Sequence, residues 1–284
     1  MKAGFNLLLW TTHVTDEHLP LLGALKAAGY DGVEVPVFEG DVGHFRKLGQ
    51  AIRDNGLACT SVTVLPDAEH SAIHPDPKSR QGAADHLAWA LACSDALDSE
   101  LLCGPFHQEL AVFSGEGPSA EEIAWAVEVH RQAADQAAEI GLTLAIEPLN
   151  RFECYFLNTM ADARAYAHKV DRPNFGVLYD TFHANIEEQD PIGCIAANAD
   201  VIRHVHISEN DRGTPGKGHI DFAATARALR AAGYDGWLTI EAFGTALPAL
   251  AAATKVWRDF FPSREEVYLH GIKTMREAWA AAER

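Results

Sequence analysis

The chain has 284 residues, with 23 basic against 40 acidic side chains, a net charge of −17 and 48% hydrophobic content. That charge opposes general binding to nucleic acid or anionic lipid, and the hydrophobic content suits a large core rather than disorder. No apolar run approaches the ~18 residues of a membrane span, and the five cysteines include no Cys-x-x-Cys pair, so reduced thiols in a cytoplasmic protein are expected.

From the amino end, short β-branched or apolar runs alternate with longer Ala-rich amphipathic stretches. Strands are predicted at 3–10, 32–37, 58–65, 100–106, 143–149, 175–181, 202–208 and 237–243. Helices are predicted near 17–28, 41–55, 79–97, 119–140, 159–169, 190–199, 221–232 and 264–282. Met1-Lys2 and the run after it read as the first strand rather than a secretion signal, because the run is short, holds Asn6 and has no small-residue cleavage site. Two nearly identical segments, Ala28-Gly29-Tyr30-Asp31-Gly32 and Ala232-Gly233-Tyr234-Asp235-Gly236, put glycine just past an Ala-rich helix and lead into a strand.

Strict alternation with near-continuous apolar strands implies a parallel sheet covered by helices. Eight such units favour closure into a (β/α)8 TIM barrel, expected to span residues 1–284 as one catalytic domain. An open doubly wound sheet would carry a Gly-rich turn after its first strand, where this chain has Trp10-Thr11-Thr12-His13. The longer loops at 66–78, 104–118, 182–190 and 209–220 fall on the βα side, the active face of such a barrel.

The chemistry concentrates in the second half. The run TLAIEPLNRFE ends a strand on Glu147; FGVLYDTFH ends one on Asp180; VIRHVHIS ends one on His206; GWLTIEAF ends one on Glu241. Any one of these alone fits a strand-end acid paired with a nearby base, but four consecutive strands offering Glu, Asp, His and Glu form a donor set for Mg²⁺, Mn²⁺ or Co²⁺. Alternation in HVHIS places His204 and His206 on one face, with His206 nearer the mouth and His204 deeper, in a supporting or packing role.

The segments IEPLNRFE, VLYDTFH, HVHISENDRGTPGKGHIDF and LTIEAF resemble the ketose 3-epimerase family, typified by D-tagatose and D-allulose (psicose) 3-epimerases within the xylose-isomerase-like barrels. The resemblance implies that Glu147, Asp180, His206 and Glu241 bind one divalent metal, Mn²⁺, Co²⁺ or Mg²⁺, and that Glu153, His183 and Arg212 hold the sugar near its carbonyl end. It implies a small free ketose as substrate and a homodimer or homotetramer. The metal would stabilise charge developing on O2 as the carbon-3 proton leaves, and Glu147 and Glu241 would exchange the proton on opposite faces of a planar enediolate.

Trp10, His13, Phe106, His107 and Phe113 are candidate sugar walls or barrel packing, and Glu34 is a polar group of the second strand without an assigned role. The glycines and Lys217 of GTPGKG are expected to serve loop shape, with a phosphate cradle as the alternative. Two other activities compete. An aldose–ketose or hydroxypyruvate-type isomerase would use similar chemistry, and an endonuclease IV-like phosphodiesterase would need more histidines and a basic groove.

Overall fold

A computed structural model describes residues 1–282, so the last two residues of the expected 1–284 unit lie outside it. The first half runs β1 (Lys2–Asn6), α1 (Leu19–Ala28), β2 (Gly32–Pro36), α2 (Val42–Asp54), β3 (Ala58–Val62), α3 (Pro77–Leu97), β4 (Leu101–Gly104) and α4 (Ala120–Glu139). The second half runs β5 (Thr143–Ile146), α5 (Met160–Val170), β6 (Phe175–Asp180), α6 (Thr181–Glu187), α7 (Gly193–Ala197), β7 (Ile202–Ile207), α8 (Phe222–Ala231), β8 (Trp237–Ile240), α9 (Pro248–Thr254) and α10 (Arg264–Ala281). All neighbouring strands pair in parallel and β8 returns to β1, giving the closed (β/α)8 barrel expected from the alternation.

The strands are shorter than their apolar runs suggest. The first stops at Asn6, whose side chain accepts a hydrogen bond from Leu8 N and starts a single 3-10 turn over Leu7–Leu9. Two short helices stand where loop was expected: α6, capped by the Asp180 side chain on Phe182 N, and α9 after the last strand. Most of the longer helices begin on side-chain caps of the usual kind, such as Asp41 on α2 and the reciprocal Ser119/Glu122 pair on α4. Among the described residues, no helix is long and apolar enough to cross a membrane.

The repeated Ala-Gly-Tyr-Asp-Gly segments close their helices identically. Gly29 and Gly233 have φ of +101° and +79°, and the next residues, Tyr30 and Tyr234, donate from their N–H groups to the Leu25 and Leu229 carbonyls. The core lies between the barrel and its helices, filled by residues such as Leu22, Phe45, Leu87, Ala133, Tyr166 and Leu229.

Register puts the chemistry together. Asp180 of β6 stands opposite His206 of β7, and Asn6 of β1 stands opposite Glu34 of β2. At the end of β4, Gly104 has φ +125°, and an added Cβ would collide with the Thr63 carbonyl oxygen. Gly104→Ala is therefore expected to destabilise the fold by about 1–3 kcal/mol, read as a lowered midpoint in thermal or urea unfolding; an unchanged midpoint would contradict the close approach.

Candidate active site

Glu147 and Glu241 sit one residue beyond β5 and β8, Asp180 is the last residue of β6, and His206 is the penultimate residue of β7. Backbone ladders hold the two glutamates: Glu147 N donates to Gly104 O at 3.0 Å and Glu241 N to Ile207 O at 3.3 Å. One potential ligand atom from each of Glu147, Asp180, His206 and Glu241 lies within 4.8 Å of the other three, and all four residues are buried. The four residues singled out in sequence thus converge on one point at the mouth of the barrel.

His206 Nδ1 tests whether the cluster fits a cation. It is buried and has no hydrogen-bond partner, lying 3.5 Å from Glu241 Oε1 and 3.8 Å from Asp180 Oδ2. Burial works against a charged His206 ring, but the Glu34 and Glu241 carboxylates outweigh it and hold its pKa well above the usual value. The field that favours a proton on that nitrogen favours any cation there. Three carboxylates and one imidazole fit a divalent ion of the Mn²⁺, Co²⁺ or Mg²⁺ kind better than a thiolate-preferring one.

Glu147 and Glu241 are pushed apart electrostatically. Burial, with Glu241 and Asp180 nearby, raises Glu147 well above the ordinary carboxyl range. Burial would raise Glu241 too, yet the His206 and Arg212 charges prevail and lower it. Two carboxyls of one site whose protonation states are driven in opposite directions form the usual acid and base arrangement.

The three accessory residues reach the same cavity. Arg212, with φ +62°, turns its guanidinium onto Asp180 Oδ2 at 3.0 Å and Glu241 Oε2 at 2.7 Å. Its plane is stacked at 3.9 Å from the Phe182 ring and 4.9 Å from Phe243, which excludes water from the charge. His183 accepts from Asn150 N at Nδ1, 2.9 Å, and presents Nε2 to Arg212 Nη2 and, 3.6 Å away, Glu147 Oε1. Burial and the Arg212 charge hold its ring well below its ordinary pKa, hence neutral. Glu153 accepts from Asn150 Nδ2 at 2.7 Å, while Arg151, its alternative partner, pairs with Glu187 instead.

The cavity above these groups has a volume of about 170 Å³. Glu147, Glu153, His183, Arg212 and Glu241 form its polar side, and Leu8, Phe38, Val62, Val64, Leu149 and Phe243 belong to its apolar side. A wider groove of about 670 Å³ beside Asp16, Asp41 and Lys47 contains none of the converging acids and is a solvated surface cleft.

Of the two roles open to Trp10, His13, Phe106, His107 and Phe113, packing rather than lining the cavity is the one observed for all but the exposed Phe113. Trp10 packs on Phe5 and Tyr268, His13 stacks on His44, and Phe106 is buried with its carbonyl near His130 Nε2. Phe113 is exposed, and His107 lies behind the site with Nε2 3.1 Å from the Glu147 carbonyl oxygen. These positions point outward or into the helical layer; Phe38 and Phe243, two and three residues beyond the ends of β2 and β8, line the cavity.

The GTPGKG loop does not offer a phosphate cradle. The buried Glu209 carboxylate accepts from Gly216 N at 2.8 Å, Ile220 N at 3.0 Å and Asn210 N at 3.1 Å, and Lys217 is exposed. The Glu209 carboxyl thus takes up the Gly216 amide and the Asn210 and Ile220 amides on either side of the loop.

Sequence reasoning left Glu34 without a role. It is wholly buried and accepts hydrogen bonds from Asn6, Thr60, His204 and His206 at 2.7–2.9 Å. The signal was present, an acid within the apolar strand GVEVP, but its partners come from β1, β3 and β7 and no local pattern reveals them.

A profile described as xylose isomerase-like TIM barrel matches residues 22–278. The ketose 3-epimerase of Arthrobacter globiformis is 31% identical over 99% of this chain and 98% of its own length. The L-ribulose 3-epimerase of Methylomonas sp. is 30% identical over 98% of each. Among solved structures, an L-ribulose 3-epimerase superposes with a TM-score of 0.93 at 28% identity, covering 100% of this chain and 96% of that one. A D-allulose 3-epimerase from Methylomonas sp. in complex with D-allulose superposes with a TM-score of 0.90 at 27% identity, covering 98% and 97%.

If the four-residue cluster holds a cation, Mn²⁺ at a hundredfold excess over its dissociation constant stabilises the protein by about 2.7 kcal/mol. The expected outcome is a Mn²⁺-dependent rise in melting temperature that is lost in His206→Asn; an equal rise in that variant would remove His206 from the ligand set.

Proposed function

Because the chain belongs to the ketose 3-epimerases of the xylose isomerase-like TIM barrel family, we propose that it inverts carbon 3 of a free ketose with Glu147 and Glu241 as the proton-transferring pair. The observation that carries this reading is the meeting of Glu147, Asp180, His206 and Glu241 within 4.8 Å at the edge of a small cavity. Those four residues hold one divalent ion, Mn²⁺, Co²⁺ or Mg²⁺, which would supply Lewis acidity where charge develops on the ketose O2.

Glu147 and Glu241 arise on strands separated by β6 and β7, so they approach a substrate from different sides. One carboxylate removes the carbon-3 proton, leaving a planar enediolate. The other, protonated, returns a proton to the opposite face, and the roles reverse with the direction of reaction. Arg212 and His183 orient the O1–O2 end, with Glu153 accepting from a neighbouring hydroxyl. The apolar walls exclude water while the enediolate exists.

The substrate is an unphosphorylated sugar, because Glu209 engages the Gly216 amide and its neighbour Ile220 N, and the arginine lining the cavity is committed to carboxylates. Residues 1–284 act as one catalytic domain, with neither nucleic acid nor membrane as a partner, in a cytoplasmic homodimer or homotetramer. The five free cysteines and the net charge of −17 support that setting.

Incubating a ketohexose with the Mn²⁺-loaded enzyme in D₂O should place deuterium at carbon 3. Exchange confined to carbon 1 would instead assign an aldose–ketose isomerase. Glu147→Gln and Glu241→Gln should each lower kcat by about 10²–10⁴-fold, and retention of turnover by both would refute the two-carboxylate mechanism.

A further inference from the structure

The floor of the site contains a second group of acid, thiol and imidazole side chains, Glu34, Cys103, His204 and His206, close enough to be taken for another metal centre. Its hydrogen bonds say otherwise. Glu34 Oε1 receives Asn6 Nδ2 at 2.9 Å and His206 Nε2 at 2.7 Å; Oε2 receives Thr60 Oγ1 at 2.9 Å, His204 Nε2 at 2.7 Å and the Cys103 thiol at 3.3 Å. Five donors saturate the two oxygens of an ionised carboxylate, which has nothing left to give a cation. Glu34 is a hub of acceptors.

We infer that Glu34 is a positioning residue for the metal centre, fixing His206 as an Nδ1 ligand and, through Asn6, setting the rotamer of Glu241. An ionised carboxylate only accepts, so the His206 nitrogen facing it must be N–H, and in the neutral ring the lone pair is then on Nδ1. Nδ1 is the atom directed at Asp180 and Glu241. The second link is equally specific. Asn6 Oδ1 accepts from Leu8 N, so its Nδ2 carries the two hydrogens that reach Glu34 Oε1 at 2.9 Å and Glu241 Oε1 at 3.0 Å.

Two of the four proposed ligands are thus aimed from β1 and β2, strands that supply no ligand themselves. A carboxylate on the far nitrogen of a ligating histidine also raises the basicity of the near one, so loss of the carboxylate weakens the bond as well as the alignment. The inference rests on the metal reading of the Glu147, Asp180, His206 and Glu241 cluster, and the experiment separates the two.

Mn²⁺ binding is measured by titration calorimetry on the wild-type chain, Glu34→Gln and Glu34→Ala, with thermal melts of the metal-free proteins to separate lost folding from lost affinity. Glu34→Ala is expected to bind Mn²⁺ about 10–100-fold more weakly, and Glu34→Gln, which keeps one acceptor oxygen, falls between it and wild type. Folded variants that both bind within twofold of wild type overturn the role of Glu34 and leave the metal site intact, whereas a wild-type chain that binds no Mn²⁺ sinks the proposed function and this inference together. Should neither variant fold, the ¹⁵N spectrum of histidine-labelled, Mg²⁺-loaded wild-type protein decides: a His206 proton on Nε2 upholds the inference, and one on Nδ1 overturns it.

Discussion

Five carboxylates, those of Glu34, Glu147, Glu153, Asp180 and Glu241, are buried within one barrel mouth, and the need to neutralise them governs the architecture around them. A buried charge without partners costs several kcal/mol, and four of the five acids are met by specific side-chain donors. Glu34 has two imidazoles, an amide, a hydroxyl and a thiol; Asp180 and Glu241 share the Arg212 guanidinium; Glu153 has Asn150. Glu147 has no such side-chain donor, its nearest being His183 Nε2 at 3.6 Å, and it is the acid whose proton affinity rises most clearly. The arrangement drives the proton affinities of two neighbouring glutamates in opposite directions at the edge of one small cavity.

The barrel divides this work by halves. Strands β5 to β8 lead to the four converging residues, and the loop after β5, helix α6 and the loop after β7 add Glu153, His183 and Arg212. Strands β1 to β4 contribute the floor, where Asn6, Glu34, Thr60 and Cys103 point inward from successive strands. The backbone of the ligand-bearing half is held from its outer side as well: His107 reaches the Glu147 carbonyl, and the Arg212 carbonyl accepts from Phe243 N. A site assembled from so many strands is rigid because the cylinder is closed, without an edge along which it could shear.

Most of the converging chemistry was legible because it follows a local rule: an apolar run terminates on a charged or imidazole side chain, and parallel closure aligns the ends of such runs. The order of the strands was legible for the same reason. Helix α6 was hidden because its start depends on Asp180, a residue that serves both as strand end and as helix cap. The cavity walls were open in the sequence because the strands end earlier than their apolar runs do, which decides which aromatic residues face inward; Phe106 packs under the helical layer and Phe38 lines the cavity. Glu34 and Asn6 were opaque for a deeper reason. Their partners on other strands and strand ends are 26 to 235 positions away, and no short window of sequence contains both ends of those contacts.

The bond from Asn6 to Glu241 also says when the centre comes into being. A ribosome makes Asn6 and Glu34 long before Glu241 exists, since 235 positions separate the first from the last. Contacts between distant parts of a chain form late, after the entropy of closing the loop between them has been met. The centre is therefore completed only when the strand synthesised last docks against the strand synthesised first. Nascent chains short of β8 carry most of the acids and none of the finished geometry, so an unfinished polypeptide offers no competent catalyst.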